Sequence, residues 1–428
     1  MHDQRTRPMS NTRPHPHTTE PEMFHHTPLR KQRDYRLLWL ARTTSITGSE
    51  VSKLAIPLTA VLLLSASPAQ MGLLTSAAFL PALLLGLHSG AIADRLRRHR
   101  PVMIACELVA AVAAFSVPVA WLLGHLSVTW LIVVALVIGS AATVFKAANF
   151  PHLAAVVPAE QRTEALAGFH ASYSLASVAG PSLAGLLVQA LTAPIAVFVE
   201  GCSFLVSALL LRSIRTPETH EPAVSRGLTR DVLEGLRLTV MHPTLRALLG
   251  AGTTINLFAM AYIAVYMLYM VNVLDIPQAL IGFLIAVGGV GGLLGAWATT
   301  RLVKRFGENR VLLGSILFFP LDIVAVAALD GPLWWKFSAL LVTGAITGAI
   351  VVAFSTCLGA VLLREAPEAA RGRVNSTISF ATQGVMAIGG VAGGLLAELI
   401  GLRPVIWVCA AGIALSIIWI WASPLRRP

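Results

Sequence analysis

The sequence predicts an all-α membrane protein: twelve transmembrane helices arranged as two pseudo-symmetric six-helix halves. Three observations carry this. The 428 residues are 56% hydrophobic and only 12% Asp, Glu, Lys and Arg, about half the roughly 25% charged content of soluble proteins, and the mean hydropathy is +0.73. Apolar runs recur along nearly the whole chain, each reaching the about 20 residues that a helix needs to cross hydrocarbon. With twelve spans, 28 of the 32 Lys and Arg fall on the side of both termini, two on the opposite side and two inside the first span. Basic residues collect on the cytoplasmic side, so both termini are expected there.

The elements follow in order. Residues 1–34 are rich in Pro, Thr, His and Arg without an apolar period, which predicts a disordered cytoplasmic tail that lacks the apolar core of a secretory signal. Five histidines lie in it, His2, His15, His17, His25 and His26, too irregularly spaced to predict a metal site. The N-terminal half, 35–212, has spans near 37–63, 69–92, 102–123, 128–147, 166–189 and 194–212. A polar segment, 213–244, reads as a cytoplasmic linker. The C-terminal half, 245–428, has spans near 245–271, 279–301, 311–329, 333–355, 375–397 and 404–422. Cys106, Cys202, Cys357 and Cys409 each sit inside an apolar run and read as small buried residues.

The halves echo one another in sequence. Pro158-Ala-Glu-Gln-Arg162 before the fifth span matches Pro367-Glu-Ala-Ala-Arg371 before the eleventh. Gly180 answers Gly390, and Asp94-Arg95-Leu96 answers Lys304-Arg305-Phe306, both 210 residues on. Two facing six-helix repeats form a transporter architecture with the site near the midplane between them; a duplicated bundle without transport is the alternative.

Two motifs are more specific. Gly90-Ala-Ile-Ala-Asp94-Arg95-Leu96-Arg97-Arg98 ends the second span; its arginines alone also fit a plain basic loop. It resembles the GxxxDRxGRR signature of the major facilitator superfamily, matched at Gly90, Asp94, Arg95 and Arg98, with Arg97 in place of the second Gly. Ala176-Ser-Val-Ala-Gly180-Pro181-Ser-Leu-Ala-Gly185 in the fifth span permits close helix approach and a proline bend. It is similar to the superfamily's antiporter motif GxxxGPxxGG, with Ala176 and Ala184 replacing two glycines. The opening Tyr35-Arg-Leu-Leu-Trp39, the Gly48-Ser-Glu50 segment, the Val157-Pro158 to Gly180-Pro181 block and Glu200-Gly-Cys-Ser-Phe204 extend the likeness to the bacterial macrolide-efflux and enterobactin-exporter branch. The resemblance implies a proton-driven exporter of amphiphilic drugs or secondary metabolites in the bacterial cytoplasmic membrane. A dedicated siderophore or lysophospholipid carrier, and a non-transporting scaffold or sensor, are the alternatives.

Charge inside hydrocarbon is costly and marks function. In the first span Arg42, Ser49, Glu50 and Lys53 fall within about 100° of arc at 3.6 residues per turn. They read as a polar wall of the substrate cavity, since the resemblance makes spans one, four, seven and ten line the path; a mutually neutralised buried set is the alternative. Glu50, near mid-membrane, is expected to be the proton-coupling carboxylate, with Glu200 and Asp322 as further candidates on spans that the resemblance makes peripheral. Glu107, near the cytoplasmic end of the third span, is expected to pair with the Arg95–Arg100 loop. Tyr262, Tyr266 and Tyr269 lie within about 60° on the seventh span and could present rings to a flat or cationic substrate; packing is the alternative. His170, Ser174 and Ser177 form a comparable stripe on the fifth span. No GxSxG elbow, Walker loop or HExxH sequence occurs, so neither enzyme chemistry nor direct ATP use is expected. The expected partners are a small amphiphilic substrate, protons and membrane lipid, with no nucleic acid and no cofactor, and the protein is expected to act as a monomer.

Overall fold

The computed structural model describes residues 28–95, 98–218, 228–367 and 371–424. Thirteen α-helices are present among them. In the N-terminal half these are α1 (Arg33–Leu64), α2 (Pro68–Arg95), α3 (Arg100–Leu122), α4 (Val128–Val156), α5 (Arg162–Leu191) and α6 (Ala193–Arg212). Then come α7 (Leu228–Met241), α8 (Pro243–Asn272), α9 (Gln278–Phe306), α10 (Glu308–Ala327), α11 (Leu333–Glu365), α12 (Arg371–Ile400) and α13 (Leu402–Trp421).

Among the described residues, eleven helices are long and apolar enough to cross a membrane. The remaining expected span is α5, 30 residues long, which packs against α1 and α9.

Two boundaries differ from expectation. The chain is already helical before residue 35, with a 3-10 turn at Leu29–Lys31 and α1 from Arg33. Leu29 explains this, because it is fully buried in an apolar cluster with Leu38, Met103, Leu153 and Leu211. The rest of the histidine-bearing tail lies outside the described residues. The connection expected as a polar linker contains α7, which packs against α12 and α8; its apolar residues recur at helical spacing, so it stays helical without spanning.

Within the first half α1 packs on α5 and α6, α3 on α4 and α6, and α2 on α4; within the second, α8 packs on α12 and α13, α9 on α11, and α10 on α11 and α13. The halves meet along two seams, α2 against α12 and α5 against α9. Glycines make both seams tight. A methyl group at Gly72 would lie 2.9 Å from Gly394 Cα, and one at Gly185 would lie 2.9 Å from Gly282 Cα. These contacts are related by the repeat: 282 lies 210 positions after 72, and 394 lies 209 after 185. Ser76 Oγ donates to the Ala387 carbonyl at 2.6 Å, and the Ala69 amide donates to Glu398 Oε2 at 3.1 Å, so both extra bonds lie on the α2–α12 seam.

Candidate functional site

The N-terminal half encloses a cavity of about 220 Å³ lined from α1, α3, α4, α5 and α6. Arg42, Ser49, Glu50 and Lys53, grouped on one face by helical periodicity, all line it. Lys53 Nζ donates to Glu50 Oε1 at 2.6 Å; the Glu50 side chain is buried, whereas 61% of the Lys53 side chain is exposed. The ammonium therefore reaches out of the wall while staying tied to the acid, and it lies 6.0 Å from the centre of the Tyr173 ring. Arg42 stands 5.3 Å over Phe145, a cation–π contact that suits a guanidinium largely withdrawn from water. Gly180 sets the wall's depth, because a Cβ there would collide with Glu50 Cβ; α5 can approach α1 at the acid only with no side chain at that position.

Behind the wall are two further carboxyls. Glu107 and Glu200 are 3% and 2% exposed. Among the described residues Glu107 meets no side chain of the Arg95–Arg100 loop where it was expected to pair: it turns inward, where Oε1 accepts from Ser207 at 3.0 Å and Oε2 from Ser45 at 3.4 Å, with Arg42 as the nearby positive charge. Glu200 faces α1 beside the Ser49 and Ser52 hydroxyls, although α6 was expected to be peripheral. Its Oε2 has no hydrogen-bond partner among the described residues. Ser45, Ser49 and Ser52 recur at three- and four-residue spacing on α1, a stripe that was available in the sequence as a sign of a buried polar face.

The C-terminal half gathers a different set. The Tyr262 and Tyr266 rings lie 4.9 Å apart, tilted by 37°. Asp322 on α10 is within electrostatic reach of both and accepts a hydrogen bond from Thr347 on α11, while its Oδ1 is buried without a partner among the described residues. Asp322 thus points inward rather than to the periphery. Tyr269 is separated from this pair. It is fully buried, its hydroxyl lies 3.4 Å and 3.3 Å from the Val326 and Ala327 carbonyls, and Arg403 Nε donates to it at 3.1 Å. Arg403 also forks onto Asp330 at 2.7 Å and 3.0 Å, and that bond holds the exposed Asp330 carboxyl below its usual pKa. Shared helical phase put Tyr269 with the other two tyrosines, but the end of α8 is buried against α10 and α13.

The stripe on α5 is partly accessible: His170 and Ser174 are exposed, and Ser177 donates to the Ser174 carbonyl at 2.9 Å. Gly90, Asp94 and Arg95 fall in the last turns of α2; their side chains, and that of Pro181, lie outside the described residues, and Arg98 is exposed.

Sequence reasoning missed a polar knot at the same end of the bundle as the chain termini. Glu218, just after α6, accepts the amides of His99 at 2.6 Å and Arg100 at 3.0 Å at the head of α3, and pairs with His152 Nδ1 on α4. Burial alone would raise the Glu218 pKa, but the His152 bond and the two amides outweigh it and hold the carboxyl below its usual value. Asp34 takes the Arg215 and Thr216 amides at 3.1 Å and 2.8 Å. No motif announces this arrangement, since its partners come from four separate segments.

The whole-chain comparisons agree with this geometry. The family model described as transmembrane secretion effector matches residues 24–427. The chain is 25% identical over 390 residues to the uncharacterized MFS-type transporter YfiS of Bacillus subtilis, covering 89% of this chain and 90% of that one. It is 25% identical to the multidrug efflux pump Tap of Mycolicibacterium fortuitum, over 86% of this chain and 90% of the pump. The fold matches a bacterial homologue of the iron transporter ferroportin in its inward-facing state, with a TM-score of 0.74 at 18% identity, covering 93% of this chain and all of the other. It also matches the nucleoside transporter NupG, with a TM-score of 0.67 at 15% identity, covering 92% and 99%. Two six-helix halves, a polar intramembrane cavity and a family match from residue 24 to residue 427 lead to one assignment: the chain is a multi-pass membrane transporter of the major facilitator superfamily and belongs to its transmembrane secretion effector family.

Proposed function

We propose that this transporter is a proton-coupled exporter of small amphiphilic compounds, acting as a monomer by alternating access in the bacterial cytoplasmic membrane, with both termini cytoplasmic. The observation that carries the reading is the Glu50–Lys53 pair in the cavity wall. An acid that trades its ammonium partner for a proton changes the charge of the wall by one unit, and a cationic or amphiphilic substrate competes for the same group. Arg42, Ser49 and the exposed edge of Tyr173 supply the rest of the surface, and Tyr262, Tyr266 and Asp322 supply the facing surface from the other half. The likeness to multidrug efflux pumps over most of the chain supports export of chemically varied compounds.

The orientation drawn from the basic residues makes the glycine-tight seams external. The arrangement described is then the inward-facing one, in which Asp94 and Arg95 would form the gate on the opposite side. Reporter fusions after residues 125, 191 and 331 should report outside, and those after 98, 225 and 306 inside; reversal at any two overturns the orientation.

The coupling is tested in vesicles with an imposed pH gradient and ethidium as the transported probe. Wild type should accumulate ethidium against its gradient and collapse with a protonophore, and Glu50→Gln should bind ethidium yet fail to respond to the gradient. Protonophore-insensitive export by wild type would remove the proton from the mechanism.

A further inference from the structure

Among the five buried polar side-chain atoms of the N-terminal half that have no hydrogen-bond partner among the described residues are Arg42 Nε, Asn149 Oδ1 and His152 Nε2. Such orphans are rare in folded proteins and point to bound water where the site is polar. Their placement is ordered. Phe145, Asn149 and His152 recur at four- and three-residue spacing and share one face of α4. Arg42 stands over Phe145 and is the positive charge beside Glu107, and the cavity that holds Arg42 and Glu107 reaches Phe145. At the other end His152, fully buried, turns Nδ1 to Glu218, which leads to the surface at the start of the connection between the halves.

We propose that this row is a hydrated proton route, private to the N-terminal half, from the buried acids Glu107 and Glu200 to Glu218 at the cytoplasmic face. The inference deepens the proton-coupled reading and rests on it for its direction. Seven residues of α4 from Phe145 to His152 rise about 10 Å at 1.5 Å per residue, a gap that about three waters at hydrogen-bond spacing bridge. A proton leaves the Glu107 carboxyl, which becomes a carboxylate facing Ser207, Ser45 and the Arg42 charge. It passes along water at Arg42 and Asn149 to His152 Nε2, while His152 gives its Nδ1 proton to the Glu218 carboxylate, and Glu218 gives that proton to cytoplasmic water. Rotation of the His152 ring restores a proton at Nδ1 for the next transfer, and Glu107 is reloaded from the external side when the transporter faces outward.

Histidine suits this position because it accepts on one ring nitrogen while donating from the other. Arg98, Arg100 and Arg215 line one pocket with Glu218, and several of the titratable groups described at this end hold partners of their own. Arg100 bonds the Ile214 carbonyl, Arg162 bonds the Ala154 and Val157 carbonyls, Asp34 holds Arg215 and Thr216, and the buried His99 meets Glu218 through its amide. The consequence is a division of traffic: the proton exits behind the cavity wall while substrate enters in front of it.

The test needs neither substrate nor transport. Infrared difference spectra of the full-length protein in lipid nanodiscs, recorded after a pH jump from 5 to 8, follow loss of the protonated-carboxyl band; the part due to Glu107 is the part missing in Glu107→Gln. Wild type should lose that band quickly, His152→Leu at least tenfold more slowly, and 50 mM imidazole should restore much of the rate in His152→Ala. Asn149→Leu, which leaves the Glu218 knot intact, should slow it as well and carries the test if the His152 variants misfold. A Glu107 band that decays within twofold of wild type in both Asn149→Leu and a folded His152 variant overturns the route, as does a wild type with no such band. Failure of the vesicle experiment would instead show as gradient-independent export, whatever the band does.

Discussion

The two halves share a helix plan and differ in where they put charge. Away from helix ends, the N-terminal half carries Arg42, Glu50, Lys53, Glu107, Lys146 and Glu200, whereas the C-terminal half carries Asp322, held by Thr347 near two tyrosines. One half therefore has acids with a cation within reach and serines to receive the neutral form; the other has an acid with neutral neighbours. A backbone repeat preserves packing positions, such as Gly72 with Gly282, more faithfully than chemistry, because a seam needs only the absence of a side chain while an ion pair needs both partners at once. On the proton-coupled reading proposed above, the difference would give proton handling to the first half and much of the ring-stacking surface to the second.

The largest expected effect tests that division directly. Glu50→Gln should lower gradient-driven ethidium export by about a hundredfold with binding kept within threefold, and Asp322→Asn should weaken ethidium binding about tenfold, or about 1.4 kcal/mol, while export of bound probe still follows the gradient. Gradient-independent export in Asp322→Asn with normal coupling in Glu50→Gln would invert the comparison. Next in size is the packing that presents Glu50. Gly180→Leu forces a side chain into Glu50 Cβ and should cost about 1–3 kcal/mol as overpacking, abolishing export in vesicles at equal expression; full activity would show that α5 does not press on α1 in the working protein.

Two smaller effects sharpen the contrast at the ends of the halves. Tyr269→Phe removes the hydroxyl that Arg403 and the α10 carbonyls share and should cost about 1 kcal/mol, seen as a lower melting temperature with unchanged ethidium binding. Altered binding with unchanged melting would return Tyr269 to the substrate surface. Glu218 gives a pH-dependent effect. Its folded-state pKa lies below the ordinary value of 4.5, so the folded state is stabilised by the ionised form. That contribution is fully present above about pH 4.5 and is lost as pH falls through the depressed folded value. The melting gap between wild type and Glu218→Gln should be constant from pH 6 to 8 and close below 4.5; a gap that widens on acidification would contradict the bonding described.

Much of the fold is written in the sequence, because each span is a local matter of length and apolar content and the basic residues mark one side. The α1 face was legible for the same reason: Arg42, Ser49, Glu50 and Lys53 share a helical phase, and phase needs no knowledge of neighbours. What crosses between helices was not. Glu107 was expected at a basic loop and instead meets Ser45 and Ser207, which lie 62 and 100 positions away. Glu218 gathers α3 and α4 from a segment read as linker. Tyr269 has the right phase and the wrong depth, and only the neighbours of α8 reveal that. The amphipathic α7 was hidden by its brevity, since 14 residues cannot span and a search for spans passes over it.

The paired glycine seams also have a mechanical meaning. Gly72 with Gly394 and Gly185 with Gly282 are two touching points at matching depth, near one end of helices about 45 Å long at 1.5 Å per residue. Two such points define a fulcrum, and the rest of each helix is a lever arm of about 35 Å. A roll of only 10° about that line would displace the far tips by about 6 Å, roughly one helical turn, with almost no sliding at the seam. On the alternating-access reading proposed above, a small tilt at the glycines would be enough to open or shut the distant mouth.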